Sequence, residues 1–254
     1  MDLNADLGEG FGVWRLGDDD GLLDVVTSAN VACGFHAGDA ATMRHVCARA
    51  AERGVAIGAQ VSYRDLPGFG RRRIEYDPDD LRDELIYQLA ALDGIARVAG
   101  TRVSYLKPHG ALYNSVVWDT VQAQAVVAAV AEFSIGLAIL GLPGSALLRA
   151  AADAGLRGVA EGFADRGYQP DGTLVPRTQS DALVTRPDEV VARAVRMATT
   201  GQVDAVDGSL VPARVASICL HGDTPGAVAL AQAVRQALIS ADVDLRPFAA
   251  PESA

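Results

Sequence analysis

The chain has 254 residues, of which 50% are hydrophobic and 21% are charged, and its formal net charge is −10. This length and composition support one sizeable core, and α/β barrels commonly run to about this length. A nucleic-acid-binding protein needs a basic face, so the acidic balance argues against that class. The amino terminus lacks the basic start of a signal peptide, and no apolar run approaches the roughly 20 residues that span a membrane. We therefore expect a cytoplasmic protein that contacts neither nucleic acid nor membrane.

The cysteine pattern agrees with that compartment. Cys33, Cys47 and Cys219 form no CxxC motif and, being three, cannot all pair with one another. Thiols are kept reduced in the cytosol, where unpaired cysteines are ordinary core residues. We therefore interpret all three as buried free thiols and not as metal ligands or nucleophiles.

Apolar runs that are typical of buried strands alternate with helical patterns along the chain. The predicted strands lie near residues 2–6, 25–32, 55–60, 103–107, 135–140, 157–162 and 215–220. Capping residues, first-turn prolines and terminal glycines mark the helices between them. The predicted helices are 39–53, 79–99, 119–132, 145–154, 187–199 and a last one opened by Thr224-Pro225. The final residues, 249–254, are predicted to form a frayed tail.

This alternation predicts a mainly parallel sheet with right-handed crossovers. An open, doubly wound sheet and a closed barrel both satisfy it. Polar clusters follow at least five of the predicted strands, and only a barrel gathers all such ends onto one rim. We therefore predict an α/β fold in which residues 1–248 form a single, irregular β/α barrel, with seven strands on the count above.

Three of the four histidines occur in the same local pattern, in which an apolar run is followed by His and a glycine lies within two residues. They are His36, His109 and His221. A titratable side chain at the end of a buried strand, beside a tight turn, is where α/β enzymes place their chemistry. Because the three stretches are far apart in sequence, only the fold can bring them together.

Carboxylate and amide groups accompany the histidines in the first two clusters. Asn4 and Asp6 point to the same side of a strand by its period of two, and Glu9 follows in a glycine-rich turn. Asp6 could ligate a metal or act as a base, or it could bond local backbone together with Asn4. Asn30 and His36 lie at and just beyond the second strand, where a buried amide or imidazole needs a partner.

Two clusters supply cations. The glycine-rich loop that carries Arg71 to Arg73 suits an anionic group such as a carboxylate or phosphate, although a solvated basic loop would look the same. Lys107 ends an apolar run, where burial is costly unless the ammonium is paired or functional. With His109 two residues on, Lys107 could stabilise developing negative charge while a proton moves. The structural alternative is an ion pair of Lys107 with Asp6 or Glu161.

Two further clusters follow late strands. Glu161 and Asp165 could form a carboxylate pair, although a loop salt bridge between Asp165 and Arg166 explains the second residue as well. Asp223 either orients His221 or precedes a helix cap. No GxxxxGK[ST] sequence occurs, so the sequence gives no case for a P-loop. Since six polar, glycine-rich turns would otherwise need six separate local explanations, we predict one shared active site.

These segments resemble the LamB/YcsF family of 5-oxoprolinase A subunits. The matching stretches are DLNADLGEGFG from Asp2, SANVACGFHAGD from Ser28, LKPHGALYN from Leu106, EGFADRGY from Glu161 and ICLHGDTPGA from Ile218. The resemblance spans nearly the whole chain and implies a β/α barrel related to glycoside hydrolases and deacetylases. It also implies ATP-dependent opening of 5-oxo-L-proline to L-glutamate, with release of ADP and phosphate, carried out with partner subunits B and C.

One departure from that family bears on metal binding. Many members read GAHPSYPD where this chain reads GAQVSYRD from Gly58. A histidine at position 60 would be a natural metal ligand, whereas the amide of Gln60 is a poor one. We therefore predict no tight protein-bound metal; the ligands that remain are Asp6, His36, His109 and His221.

The residues and the resemblance together define the expected site. The predicted catalytic residues are Asp6, His36, Lys107 and His109, with Asp6 or His109 as the general base. The predicted substrate-binding residues are Asn4, Glu9, Asn30, Arg71, Arg72, Glu161 and His221. ATP is the expected cofactor, with Mg²⁺ as its counter-ion, bound on this chain or on a partner.

Two other functions stay open at this point. One is a metal-dependent amidohydrolase or deacetylase that acts without ATP. The other is a non-catalytic protein that presents a small acid to a partner. Binding a small acid needs mainly cations and amide donors, so the many potential acid–base groups argue against this function. A homo-oligomer is also left open.

Overall fold

Seven parallel strands close into a barrel in the computed structural model, which describes residues 1–223 and 226–249. Elements are numbered in chain order. The barrel strands are β1 (Asp2–Leu7), β2 (Ser28–Ala32), β3 (Ala56–Val61), β4 (Val103–Pro108), β5 (Ala138–Gly141), β6 (Gly158–Phe163) and β9 (Ser217–Leu220). Strand β9 pairs with both β6 and β1 and so closes the barrel. The prediction of a seven-stranded barrel in place of an open sheet is confirmed.

Helices fill the crossovers between consecutive strands. They are α1 (Asp19–Leu23), α2 (Ala40–Arg53), α3 (Pro78–Val98), α4 (Gly110–Ser115), α5 (Thr120–Phe133), α6 (Ala146–Asp153), α7 (Pro187–Thr200) and α8 (Ala227–Ser240). The predicted caps are present where they are described: Asp39 accepts from the Thr42 amide at 2.8 Å, and Gly54 ends α2 with φ of 66°. The predicted start of the last helix at Thr224-Pro225 lies outside the described residues.

The sequence patterns missed the short elements. Strands β7 (Gln202–Asp204) and β8 (Leu210–Pro212) form an antiparallel pair apart from the barrel, and three-residue strands are too short to show a period. Helices α1 and α4 were missed for the same reason. Within the predicted tail, Ala249 is buried, and the rest of that segment lies outside the described residues. Among the described helices, none combines the length and apolar character that crossing a membrane requires.

The barrel interior is polar, unlike the layers of branched aliphatic side chains that fill most β/α barrels. The Tyr105 hydroxyl of β4 donates to Asn30 of β2 at 2.7 Å, and the Asn4 amide of β1 donates to Ser217 of β9 at 2.6 Å. The β2–β4 contact crosses the interior because these strands are not neighbours in the sheet. Gly58 is required beside Tyr105, because a Cβ there would overlap the phenol ring.

The loops after the strands cover one end of the barrel, as the predicted polar clusters required. The longest is the β6–α7 segment, residues 164–186, which contains no regular helix or strand. It folds back on itself through two isolated bridges, Tyr168 to Leu174 and Arg166 to Leu183. Arg193 of α7 holds its start by donating to the Ala164 and Arg166 carbonyl oxygens at 3.1 and 2.7 Å. This segment therefore forms an ordered wall over the barrel mouth.

Candidate active site

A cavity opens at the carboxyl ends of the strands, where the loops meet. The charged and imidazole side chains that line it come from five strand ends or the loops that follow them, so the sequence clusters converge. They are Asp6, Arg71, Lys107, His109, Arg166, Arg177 and His221.

Lys107 stands at the centre of this arrangement, and it is the only lysine in the chain. Its side chain is 2% exposed, and Nζ lies 3.1 Å from Asp6 Oδ1 and 3.2 Å from Glu161 Oε2. Nζ also lies 3.1 Å from the Cys219 sulfur. Burial alone would lower the pKa of the ammonium, but Asp6 and its other acidic neighbours raise it well above its ordinary value. Lys107 is therefore a fixed positive charge in a water-poor site.

The sequence offered an ion pair of Lys107 with Asp6 or Glu161 as a structural alternative. In the structure Lys107 pairs with both carboxylates. Burial tends to raise the pKa of Asp6, yet the Lys107 charge brings it below its ordinary value. Glu161 is fully buried, and burial outweighs the lysine so that its pKa is raised. Because Lys107 and Asp6 both line the cavity, the ion pair is structural and also accessible to a ligand.

Asn4 and Asn30 lie beneath Asp6 and not in the cavity wall. The Asn30 amide donates to Asn4 Oδ1 at 2.6 Å and to Asp6 Oδ1 at 2.9 Å, and both asparagines are fully buried. Neither asparagine lines the cavity, and their predicted role in substrate binding stays a prediction. They hold the Asp6 carboxylate toward Lys107, because buried amides must be satisfied by polar partners.

A second cluster joins β3 to the loops after β1 and β2. The Gln60 amide donates to Glu9 Oε1 at 3.1 Å, and Gln60 Oε1 lies 3.1 Å from His36 Nε2. His36 stacks on His109, with ring centroids 4.1 Å apart and planes inclined by 20°. Burial lowers the pKa of His36 to about 4 and, with His36 beside it, lowers that of His109 well below its ordinary value. Burial also raises the pKa of Glu9 well above its ordinary value, so the neutral forms are favoured.

Only one histidine of this pair reaches the cavity. His109 lines it, whereas His36 is fully buried behind Gln60 and His109. His36 packs against the His109 ring, which lines the cavity, and the catalytic role predicted for His36 stays a prediction. Glu9, predicted to bind substrate, is likewise buried, and its Oε1 lies 3.7 Å from His109 Nε2.

The residues whose donor atoms lie close enough together to hold a metal ion differ from the predicted ligands. The structure groups Glu9 with His36 and His109, while Asp6 faces Lys107 instead. A metal ion lies near the plane of each imidazole and about 2.0–2.1 Å from its nitrogen. Two nearly parallel, stacked rings have no common point that meets both conditions, and Gln60 already occupies His36 Nε2. This arrangement does not fit a resident metal ion.

Asp165 and His221 form a second acid–imidazole pair at the cavity wall. Asp165 Oδ2 accepts from His221 Nδ1 at 2.8 Å and from the His221 backbone amide at 2.9 Å. Burial opposes the charged form, yet His221 holds the pKa of Asp165 below its ordinary value. Phe163 stacks on the imidazole, with centroids 5.8 Å apart. The pair fixes the orientation of His221, and Asp165 is paired with this imidazole and not with Arg166, its neighbour in sequence.

Arg71 and Arg72, in the loop after β3, point in different directions and have different partners. Arg71 lines the cavity, lies over the Phe69 ring and pairs with Asp223 at 3.0 Å. Arg72 is directed away and pairs with Asp65, its Nε donating at 2.8 Å. Of the two arginines predicted to bind substrate, the structure brings only Arg71 to the cavity. The reason is local: Asp65 caps the turn Leu66–Gly68 and captures the Arg72 guanidinium.

Sequence reasoning missed Arg166 and Arg177 as wall residues of the cavity. Both belong to the β6–α7 segment, which has no periodic pattern to indicate side-chain direction. The available signal was their place in a glycine-rich stretch after a strand, EGFADRGY for the first and GTLVPR for the second.

The chain matches one protein family over nearly its whole length. A model of the LamB/YcsF family matches residues 1–253. The chain is 62% identical over 249 residues to the 5-oxoprolinase A subunit of Streptomyces avermitilis, covering 98% of this chain and 100% of the relative. It is 57% identical over 248 residues to the 5-oxoprolinase A subunit of Mycolicibacterium gilvum, covering 98% of each.

Two solved structures resemble the fold. The lactam utilization protein from Thermus thermophilus superposes with a TM-score of 0.92 at 40% identity, over 98% of this chain and 99% of that one. A family 4 carbohydrate esterase from Streptomyces lividans gives a TM-score of 0.54 at 11% identity, over 100% of this chain and 96% of that one. The second likeness, at 11% identity, concerns the fold alone.

Proposed function

Because the chain belongs to the LamB/YcsF family, we propose that it is the A subunit of an ATP-dependent 5-oxoprolinase and works with subunits B and C. The substrate is 5-oxo-L-proline, and the products are L-glutamate, ADP and phosphate. The observation that supports this most directly is the single lysine, buried between two carboxylates beside a cavity lined by His109 and His221. Such a site can bind an acidic amide and move protons on it.

The need for ATP follows from the chemistry of the substrate. A five-membered lactam is a stable amide, and water alone attacks its carbonyl carbon slowly. Phosphorylation of the amide oxygen converts that oxygen into a good leaving group. Water can then add to the activated carbon, and the ring C–N bond breaks as the nitrogen takes up a proton, which leaves an acyl phosphate on the side-chain carboxyl group of glutamate. A second water hydrolyses this acyl phosphate and releases L-glutamate and phosphate.

Lys107 is suited to stabilise negative charge on the carbonyl oxygen or its phosphate. Its ammonium is held ionised by Asp6 and Glu161, so no proton has to be supplied when charge develops. The buried site strengthens this interaction, because little water competes for the ammonium. Asp6 then serves to hold Lys107 in place.

His109 is the better of the two predicted general bases. Asp6 Oδ1 already accepts from Lys107 Nζ at 3.1 Å and from the Asn30 amide at 2.9 Å, so that oxygen is engaged in the ion pair. Burial and the neighbouring His36 keep His109 neutral at pH 7, and a neutral imidazole can accept a proton from water. His221, oriented by Asp165, is positioned on the same cavity to take part in the later transfer to the ring nitrogen.

We propose that ATP is bound mainly by a partner chain. The chain contains no GxxxxGK[ST] sequence, and the cavity is lined by groups suited to a small acid. We therefore assign ATP, with Mg²⁺ as its counter-ion, to the assembled complex, where a partner chain supplies most of its contacts. The isolated chain should then release negligible glutamate.

The direct test is glutamate release from 5-oxo-L-proline, measured with and without ATP, for this chain alone and with subunits B and C. Activity that needs ATP and all three chains supports the proposal. Robust ATP-dependent release by the chain alone would remove the partner requirement. No release from a verified complex, together with hydrolysis of an amide in the absence of ATP, would favour an amidohydrolase instead.

A further inference from the structure

We propose that Arg166 and Arg177 of the β6–α7 segment form the subsite that binds the carboxylate of the substrate. The identity of that substrate rests on the proposed function, whereas the subsite rests on the geometry of the cavity wall. It places the recognition of the acid on a different loop from the one that the sequence indicated.

The cavity wall differs in charge from the rest of the molecule. The chain carries a net charge of −10, yet the fixed charges that line the cavity are three arginines, one lysine and one carboxylate. A cavity whose lining has a net positive charge concentrates anionic ligands. The site is therefore selective for an anion although the surface as a whole repels anions.

Two of these four cations are already matched by carboxylates. Lys107 pairs with Asp6 at 3.1 Å, and Arg71 pairs with Asp223 at 3.0 Å. Arg166 and Arg177 have no carboxylate partner within 4.0 Å among residues 1–223 and 226–249. The positive charge that remains for a ligand is thus located on these two side chains.

Arg166 is the better fixed of the two. It is 4% exposed, its Nε donates to the Ala182 carbonyl oxygen at 2.9 Å, and its Nη2 donates to that of Val175 at 2.7 Å. Neutral carbonyl groups satisfy these donors without balancing the charge, and a buried charge without a counter-ion is costly. Burial and the neighbouring Arg177 lower the pKa of Arg166 to about 10. An anion that enters the cavity would relieve this cost.

Arg177 lies at the outer edge, where it is exposed and able to reach an entering ligand. Its side chain lines the same cavity as Arg71, and desolvation together with repulsion from Arg71 lowers its pKa. A guanidinium matches the two oxygens of a carboxylate with paired N–H donors. With the carboxylate held at this edge, the lactam ring can extend inward to Lys107 and His109.

The experiment measures ligand affinity on the full chain by titration calorimetry, with 5-oxo-L-proline, L-glutamate, acetate, neutral 2-pyrrolidinone and inorganic phosphate as probes. The test variant is Arg177→Gln, which leaves the Arg166 contacts to backbone intact. The matched control is Arg186→Gln, since Arg186 ends the same segment, is exposed and pairs with Asp188. We expect Arg177→Gln to weaken 5-oxo-L-proline binding about 10- to 100-fold, with pyrrolidinone binding and the control unchanged.

The possible results distinguish a failure of the proposed carboxylate subsite from a failure of the proposed function. Equal 5-oxo-L-proline affinity for wild type and Arg177→Gln, or no binding of any probe, would overturn the subsite. Loss of phosphate binding alone in the variant would also overturn it, because the arginines would then serve a phosphoryl group. If acetate or L-glutamate binds in an Arg177-dependent way while 5-oxo-L-proline does not, the carboxylate subsite stands and the proposed function fails.

Discussion

Replacing Lys107 with Met tests the charge balance at the centre of the barrel. In the wild type Nζ lies 3.1 Å from Asp6 Oδ1 and 3.2 Å from Glu161 Oε2. Met keeps most of the side-chain volume and removes the charge. Two carboxylates, whose side chains are 6% and 0% exposed, would then face each other without a cation.

The expected cost is large, because removing one partner leaves uncompensated buried charge. Breaking a buried ion pair in this way costs about 3–5 kcal/mol. In a domain of this size 1 kcal/mol shifts Tm by roughly 2–4 °C, so Tm should fall by roughly 6–20 °C. Turnover by the assembled complex should fall about 10²- to 10³-fold, as when one donor is removed from an oxyanion site.

The loss should depend on pH in a definite direction. Without the ammonium, burial should raise the pKa of the Asp6 and Glu161 carboxyl groups above their values in the unfolded chain, about 4. The folded variant then binds more protons than the unfolded variant, so its stability is retained at low pH and falls as pH rises through the raised pKa values. In the wild type Lys107 lowers the pKa of Asp6 against the effect of burial, and that contribution is lost only as pH falls.

Denaturant unfolding of both proteins at about pH 5 and about pH 8 measures this difference. The stability deficit of Lys107→Met should be larger at the higher pH. Adding Glu161→Gln to Lys107→Met removes one of the two stranded charges and should recover part of the stability. Equal unfolding free energies for wild type and Lys107→Met at the higher pH would refute the reasoning, and near-normal turnover would remove Lys107 from the mechanism.

Three further substitutions follow from the site. Gln60→His places an imidazole beside Glu9, and we expect it to raise the zinc bound per chain after dialysis, measured by elemental analysis. Asp165→Asn should lower stability by about 1–3 kcal/mol near neutral pH in denaturant unfolding; because the pKa of Asp165 is lowered, the gap should close as pH falls below about 4. Gly110→Ala, at φ of 61° with its new Cβ overlapping the Gly70 carbonyl oxygen, should lower Tm and turnover together.

Each of these substitutions has a control within the chain. Gly94→Ala adds a methyl group where no atom beyond its chain neighbours and the backbone of its own helix lies within 4 Å, so it should leave turnover unchanged. Asp188→Asn removes an exposed carboxylate and should cost little. Gln60→Asn shortens the amide without adding an imidazole and should bind no more zinc than the wild type. An effect of equal size in a variant and its control would contradict the corresponding argument.

The barrel could be predicted because most of its strands lie in largely apolar segments bounded by turn residues, although β1 (Asp2–Leu7) alternates apolar and polar residues. The same runs located the ends at which Asp6, Lys107 and His221 appear, and closure of the sheet brought those ends together. The convergence of the clusters was therefore a consequence of topology and needed no knowledge of side-chain packing.

Side-chain direction could not be predicted in the same way. A period of two places Asn4 and Asp6 on one side of β1, but it does not tell which of them lies under the other in the barrel. Neighbouring Arg71 and Arg72 diverge because Asp65 captures the second, a contact set by a single turn. Arg177 lies in irregular backbone, where no periodicity exists to indicate direction.

The single lysine also offers a chemical probe of access to the barrel interior. Every other cationic side chain of the 22 lysines and arginines is an arginine, so a reagent for primary amines finds only Lys107 and the α-amino group of Met1. The Lys107 amine is 2% exposed and carries a proton held by its acidic neighbours, so a reagent reaches it only through the cavity that it lines and reacts slowly. The rate of labelling at Lys107, followed by peptide mass, would then measure how accessible the barrel interior is in the native state, and a ligand bound in the cavity should slow that rate.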